Sequence, residues 1–304
     1  MNNSELIVDL LKDALGNVKN HYENKGQISF DCPVCSYEIK GLDNLDGKGN
    51  LEVNYLKGVY KCWACSDTHE THGSINKLFW KWGNKKQRQT WKLIAPEEFQ
   101  VKTKKYSKVT LPEDFISFEK GNPLTIPFRE AQNYLLKRNI SKDMMIKYCM
   151  GYTTQGPYRG RVIIPSFDSE GEINYFVARS YINHRMKYKN PEFPKEEIIF
   201  NESRIDWTKD IYLVEGVFDM LFLDNSIAIL GKTVSDKLWE KLYDNCEAKI
   251  IICLDGDAWE DAQQLYRKLD GGKLNHRIRV IKMPTDADVA ELGGIEDLEP
   301  MTLL

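Results

Sequence analysis

The chain has 304 residues, a formal net charge of −3 and seven cysteines. That length exceeds what one small core usually holds, so two or three domains are expected, and the near-neutral charge rules out a uniformly basic protein while leaving room for local basic patches. The cysteine usage does not describe a secreted disulfide scaffold, and no apolar run approaches membrane-spanning length.

Ser4 to Leu15 has the spacing of an amphipathic helix with acidic residues and lacks the basic start and long apolar core of an export signal. A cytoplasmic protein with reduced thiols and no membrane partner is the expectation. Next come Cys32-Pro-Val-Cys35 and Cys62-Trp-Ala-Cys65, two C-x2-C knuckles. Between them lie Gly41, Asp46-Gly47-Lys48-Gly49 and the alternating stretch Leu51 to Leu56, the makings of a β-ribbon. Paired knuckles around a hairpin favour one structural Zn²⁺ on four thiolates over a redox motif. His69 and His72 follow closely and compete weakly as ligands, because four thiolates already satisfy the metal. Tyr55, Tyr60 and Trp63 either stack on bases of a single strand or shield the ribbon's small core. Ile75, Leu78 and Phe79 sit at helical spacing and read as core. The following stretch, rich in Lys, Arg and Gln and interrupted by Pro96, reads as a basic linker over residues 83–110.

Further along, two apolar runs each end in acids. Ile211 to Val214 leads into Glu215-Gly-Val-Phe-Asp219, and Ile250 to Leu254 leads into Asp255-Gly-Asp257. Continuous apolar runs suit buried parallel strands, and ligands of open α/β sheets sit beyond the carboxyl ends of such strands. The carboxylates then converge on one rim, where they repel unless a cation holds them; all-oxygen ligation favours Mg²⁺ or Mn²⁺. One such turn reads as a strand end and helix cap. Two in one sheet read as a metal site for phosphate chemistry. Leu230-Gly-Lys-Thr233 is not a phosphate-binding P-loop, since Ser226 stands where that motif needs its first glycine.

The order E-G-x-x-D, then D-x-D after a later strand, resembles the Toprim pattern of DnaG-type primases, topoisomerases and some nucleases. Gly160-Arg-Val-Ile-Ile-Pro165, the strand Ile173 to Arg179 and Met186-Lys-Tyr-Lys-Asn-Pro191 resemble the basic subdomain that precedes Toprim in DnaG-type primases, and Gln132 to Ser141 with Gly151-Tyr152 falls where that family has a short helix and G-Y. Asp286-Ala-Asp288 resembles the family's closing D-P-D, with Ala287 in place of Pro.

This resemblance implies an α/β Toprim domain with a parallel sheet, a basic α+β subdomain and an N-terminal zinc β-ribbon, divided as 1–82 ribbon, 83–110 linker, 111–206 basic subdomain and 207–304 Toprim. It implies a metal set of Glu215, Asp219, Asp255, Asp257, Asp286 and Asp288 holding two or more Mg²⁺ or Mn²⁺, with Glu215, Asp255 and Asp257 catalytic and Glu215 the general base or a direct ligand. Arg161, Arg179, Lys187 and Lys189, with Lys232 more weakly, are cations suited to triphosphates and template backbone, although Lys189 alone reads as a strand-edge charge. The implied function is synthesis of short RNA primers from ribonucleoside triphosphates on single-stranded DNA, beside a separate replicative helicase. All-cysteine ligation is more typical of the phage members of this family, so the resemblance implies a phage primase acting in the host cytoplasm, and with no ATPase motif a stand-alone one is expected. A Toprim nuclease and a non-catalytic zinc-ribbon single-strand adaptor are the competing classes; the first would not need the basic stretch from Arg161 to Lys189, the second would not need the acids.

Overall fold

The structure is a computed structural model that describes residues 3–35, 47–66, 71–99, 107–182, 185–269, 274, 276–284 and 287–303. Gly41, Asp46, His69 and Asp286 lie outside the described residues. Two compact units emerge, Met1–Lys104 with Arg267–His276, and Lys105–Tyr266 with Arg277–Leu304. Among the described residues no helix is long and apolar enough to cross a membrane.

In the first unit, helix α1 (Asn3–Leu15) buries Ile7, Val8, Leu10 and Leu11, the apolar stripe that its spacing predicts. Five antiparallel strands follow in spatial order β1 (Val18–Tyr22), β2 (Gln27–Phe30), β3 (Leu51–Asn54), β4 (Val59–Cys62) and β5 (His72–Ser74). In the turn after β3, Asn54 Oδ1 accepts the Lys57 N–H at 2.9 Å, and Gly58 takes the left-handed φ of +68° that lets the chain reverse. Ser74 caps helix α2 (Ile75–Trp82), which buries Ile75, Leu78 and Phe79.

The expected linker is corrected at this point. Helix α3 (Lys85–Ile94) opens on a reciprocal capping box: Asn84 accepts the Gln87 N–H at 2.9 Å and Gln87 accepts the Asn84 N–H at 2.8 Å. Trp91 is buried against Phe79, ring centroids 5.2 Å apart, and its indole N–H donates to Asn76. The basic and Gln-rich composition masked this because only a narrow face of α3 is apolar, and one tryptophan supplies most of the packing.

The second unit holds two sheets. One is antiparallel, in order β6 (Phe115–Ser117), β7 (Gly151–Thr153), β8 (Arg161–Phe167), β9 (Ile173–Ser180), with helices α4 (Ile126–Leu136) and α5 (Lys142–Lys147) between β6 and β7 in the chain. The other is parallel, in order β11 (Ser226–Ala228), β10 (Ile211–Val214), β12 (Ile250–Cys253), β13 (Ile278–Val280). The mixed α/β expectation with a parallel sheet holds. Helices α6 (Val217–Met220), α7 (Asp236–Asn245), α8 (Trp259–Leu269) and α9 (Val289–Leu292) complete the connections. β12 is buried at every position, which is why Ile250 to Cys253 reads as an unbroken apolar run. One core joins Val162, Ile164 and Val177 of the first sheet to Val214, Ile251 and Cys253 of the second.

Candidate metal and phosphate site

The knuckles meet inside the first unit. Cys32, Cys35, Cys62 and Cys65 are all buried, and their four Sγ atoms lie within 4.8 Å of one another. The distances Cys32–Cys65 and Cys35–Cys62 are both 3.7 Å. A tetrahedral zinc with bonds of about 2.3 Å separates its sulfurs by roughly 3.8 Å, so the donor set fits that metal in chemistry and size. Without the metal, hydrogen bonds to Cys62 and Cys65 push the Cys32 thiol up, and burial pushes Cys35 up. His72 is exposed on β5 and takes no place in the cluster. Tyr55 and Tyr60 are buried and belong to the core, whereas Trp63 is 65% exposed, with the Lys61 ammonium 4.9 Å above its ring.

In the second unit, β10 and β12 run parallel with Val214 level with Cys253, so Glu215 and Asp255 leave their strands at the same rim. Gly216 lets the chain turn tightly into α6: a Cβ there would stand 2.8 Å from Asp219 Oδ2. Asp219 is 6% exposed, and its Oδ1 accepts the Ala290 N–H at 3.2 Å. Asp288 caps α9 by accepting the Glu291 N–H at 2.7 Å. The Gly256 N–H donates to the Ala287 carbonyl at 2.9 Å, tying the Asp255 turn to the segment that carries Asp288.

Burial, then the neighbouring acids Asp219 and Glu215, pushes Asp255 up to about 7; burial, then Asp288, pushes Asp219 up to about 6. Glu215 is raised by burial, against the pull of Lys232. Asp257 is exposed at the rim's edge. Among the described residues the four cysteines are the one group of three or more metal-ligating side chains drawn this close together. An all-carboxylate ring whose members resist ionising is what a hard divalent cation would relieve.

The expected cations divide. Arg161 is 2% exposed; its guanidinium donates to the carbonyls of Met186 at 2.8 Å, Lys187 at 3.0 Å and Ala178 at 3.4 Å. The expectation that it faces nucleotide or template is therefore corrected: residues 186–189 fold back along β9, with Ser180 N–H on Lys187 O at 2.9 Å and Lys189 N–H on Ala178 O at 3.0 Å, and this covers the arginine at the start of β8. Lys187 stays exposed, and Lys189 lies 5.5 Å above the Tyr158 ring. Lys232 pairs with Asp261 at 2.8 Å, within electrostatic reach of Glu215.

Arg179 lies 4.5 Å above the Tyr188 ring and donates to Tyr134 Oη at 3.0 Å. Arg138 lies 5.2 Å from both the Tyr134 and Phe218 rings. Phe218 directly precedes Asp219, so rings and guanidinium groups alternate from the basic loop to the acidic rim. Tyr134 and Arg138 escaped the sequence reading. Their four-residue spacing, which places two side chains on one helical face, within the resembling stretch Gln132 to Ser141 was the available signal.

No protein-family model matches the chain. It is similar in sequence to the DNA primase of Mycoplasma genitalium, 22% identical over 329 residues, covering 85% of this chain and 53% of that protein. The DNA primase of Pseudomonas aeruginosa is 29% identical over 188 residues, covering 55% of this chain and 27% of that protein. Among solved structures, the zinc-binding and RNA polymerase domains of Aquifex aeolicus primase give a TM-score of 0.45 at 20% identity, covering 95% of this chain and 81% of that one. The chain thus spans about half the length of the first of these relatives and about a quarter of the second.

Proposed function

We propose that this chain makes short RNA primers from ribonucleoside triphosphates on single-stranded DNA, as the zinc-ribbon and polymerase part of a DNA primase. The observation that carries the reading is the exit of Glu215 and Asp255 at the same rim from the parallel strands β10 and β12, with Asp219 and Asp288 beside them. In this reading Glu215, Asp219, Asp255, Asp257 and Asp288 hold two or more Mg²⁺ or Mn²⁺, which supply charge neutralisation at the transferred phosphate. Glu215 would serve the attacking 3′-hydroxyl as general base or direct metal ligand; Lys187, Lys189, Lys232, Arg179 and Arg138 would bind phosphates of nucleotide and template. Arg161 is reassigned to hold the basic loop in place.

The four cysteines would hold one structural Zn²⁺, and the ribbon would position template without taking part in chemistry. We assign residues 1–95 to the ribbon domain, since α3 packs on its core, 111–206 to the basic subdomain and 207–304 to Toprim. A separate replicative helicase is the partner that the sequence resemblance implies.

Incubation with single-stranded DNA, labelled ribonucleotides and Mg²⁺, followed by sizing of the products, tests the function. Short labelled RNA is the expected product. Shortened DNA would replace this reading with a nuclease, and binding without either product would leave a single-strand adaptor.

A further inference from the structure

Thr71 directly precedes β5, and its side chain touches the cysteine cluster. Its side chain is wholly buried, 0% exposed, and its Oγ1 lies 2.9 Å from Cys65 Sγ. Its carbonyl accepts the Cys62 N–H at 2.8 Å. One residue therefore grips both cysteines of the second knuckle, by its backbone at Cys62 and by its hydroxyl at Cys65. Lys61 pairs with His72 in the β4–β5 ladder, so this grip continues directly into the strand that leads to α2. A buried hydroxyl needs a partner, and a metal-bound thiolate can only accept, so the proton on Thr71 Oγ1 would point at the sulfur.

We propose that Thr71 is a positioning residue of the thiolate metal site, donating a hydrogen bond to Cys65 Sγ that orients this ligand and lowers its charge density. This rests on the reading of the four cysteines as a zinc site. Its consequence is tighter metal retention: groups that hydrogen-bond to a metal's ligands typically contribute 10–100-fold to metal affinity. His72, the next residue, is exposed.

The test uses the full chain and two readouts, neither of them primer synthesis. Zinc affinity is measured by competition with a chromophoric chelator, and Co²⁺ replaces zinc so that the thiolate-to-metal charge-transfer band reports the sulfur's electron density. Thr71→Val removes the hydroxyl at nearly constant volume, and Thr71→Ser keeps it. We expect T71V to weaken zinc binding by about 10–100-fold and to move the Co²⁺ band to longer wavelength. T71S should match the wild type in both. A T71V protein with wild-type affinity and band position overturns the proposal, as does a T71S protein as impaired as T71V, which would mean that the hydroxyl does not by itself carry the effect. Should T71V fail to fold, T71S against T71A decides, the proposal requiring Ser to keep the band and Ala to shift it. Wild-type protein purified without chelator and found to hold no zinc would sink the zinc reading itself, a separate outcome from intact zinc binding that is indifferent to Thr71.

Discussion

Replacing Arg161 with Met separates a residue that contacts nucleic acid from one that builds the surface for it. The guanidinium makes two hydrogen bonds of 3.0 Å or less, to Met186 O and Lys187 O, and a weaker one of 3.4 Å to Ala178 O. Hydrogen bonds to a charged group contribute about 1.5–3 kcal/mol each, so the two good ones amount to roughly 3–6 kcal/mol. Against this stands the cost of burying the cation, which lowers its pKa and which methionine avoids. Lys187 O keeps the Ser180 N–H and Ala178 O keeps the Lys189 N–H, which softens the loss further. A net destabilisation of about 2–4 kcal/mol follows, a fall of roughly 5–15 °C in the melting temperature of a unit this size. The assay is thermal unfolding by circular dichroism beside single-stranded DNA binding by fluorescence anisotropy. R161M should lose stability and, through the loosened 186–189 loop, some binding; K187A should lose binding at unchanged melting temperature. An R161M protein that melts like the wild type but binds DNA weakly would refute the positioning argument and return Arg161 to the binding surface.

Three further outcomes are expected. Trp91→Ala should destabilise the first unit by about 3–5 kcal/mol, measured by denaturant titration, whereas no effect would restore residues 85–95 to a linker. Glu215→Gln should lower primer synthesis on the order of a hundredfold or more with the melting temperature unchanged, and wild-type rates at saturating Mg²⁺ and nucleotide would make the rim structural. For pH, the raised carboxyls of Asp219 and Asp255 favour the folded state fully below their unfolded value of 3.8, and that contribution is lost as pH climbs through about 6 and about 7. Added Mg²⁺ must displace those protons, so its stabilising shift in thermal melts should be larger at about pH 8 than at about pH 5.5, and equal shifts at the two values would contradict the metal assignment.

What the sequence disclosed was governed by the backbone. Ile211 to Val214 and Ile250 to Leu254 are apolar on both faces, the pattern that strands of a covered parallel sheet show, and strands that run parallel deliver their following acids to one rim. The four cysteines declared themselves by spacing. What stayed hidden depends on segments far apart in sequence meeting in the fold. Arg161 reads as surface charge until residues 186–189 lie over it. Tyr134, Arg138 and Phe218 come from α4, its following turn and the first residues of α6, and no single window of sequence contains the ladder they make. The linker error had a different origin: the capping residues Asn84 and Gln87 were legible, but composition outweighed them.

These two origins imply different tolerances in the proposed site. The acids hang from strand ends whose level is set by the register of Val214 against Cys253, so a conservative change to one carboxylate leaves the others where they are. The cations are held by one another and by rings: Arg179 by Tyr134 and Tyr188, Arg138 by Tyr134 and Phe218, and the Lys187 loop by Arg161. Removing Tyr134 would therefore disturb two guanidinium groups at once, although it carries no charge. Phe218 joins both halves, because it packs in the core, meets Arg138 and is bonded to Asp219, so a change of ring there should disturb phosphate binding and metal binding together.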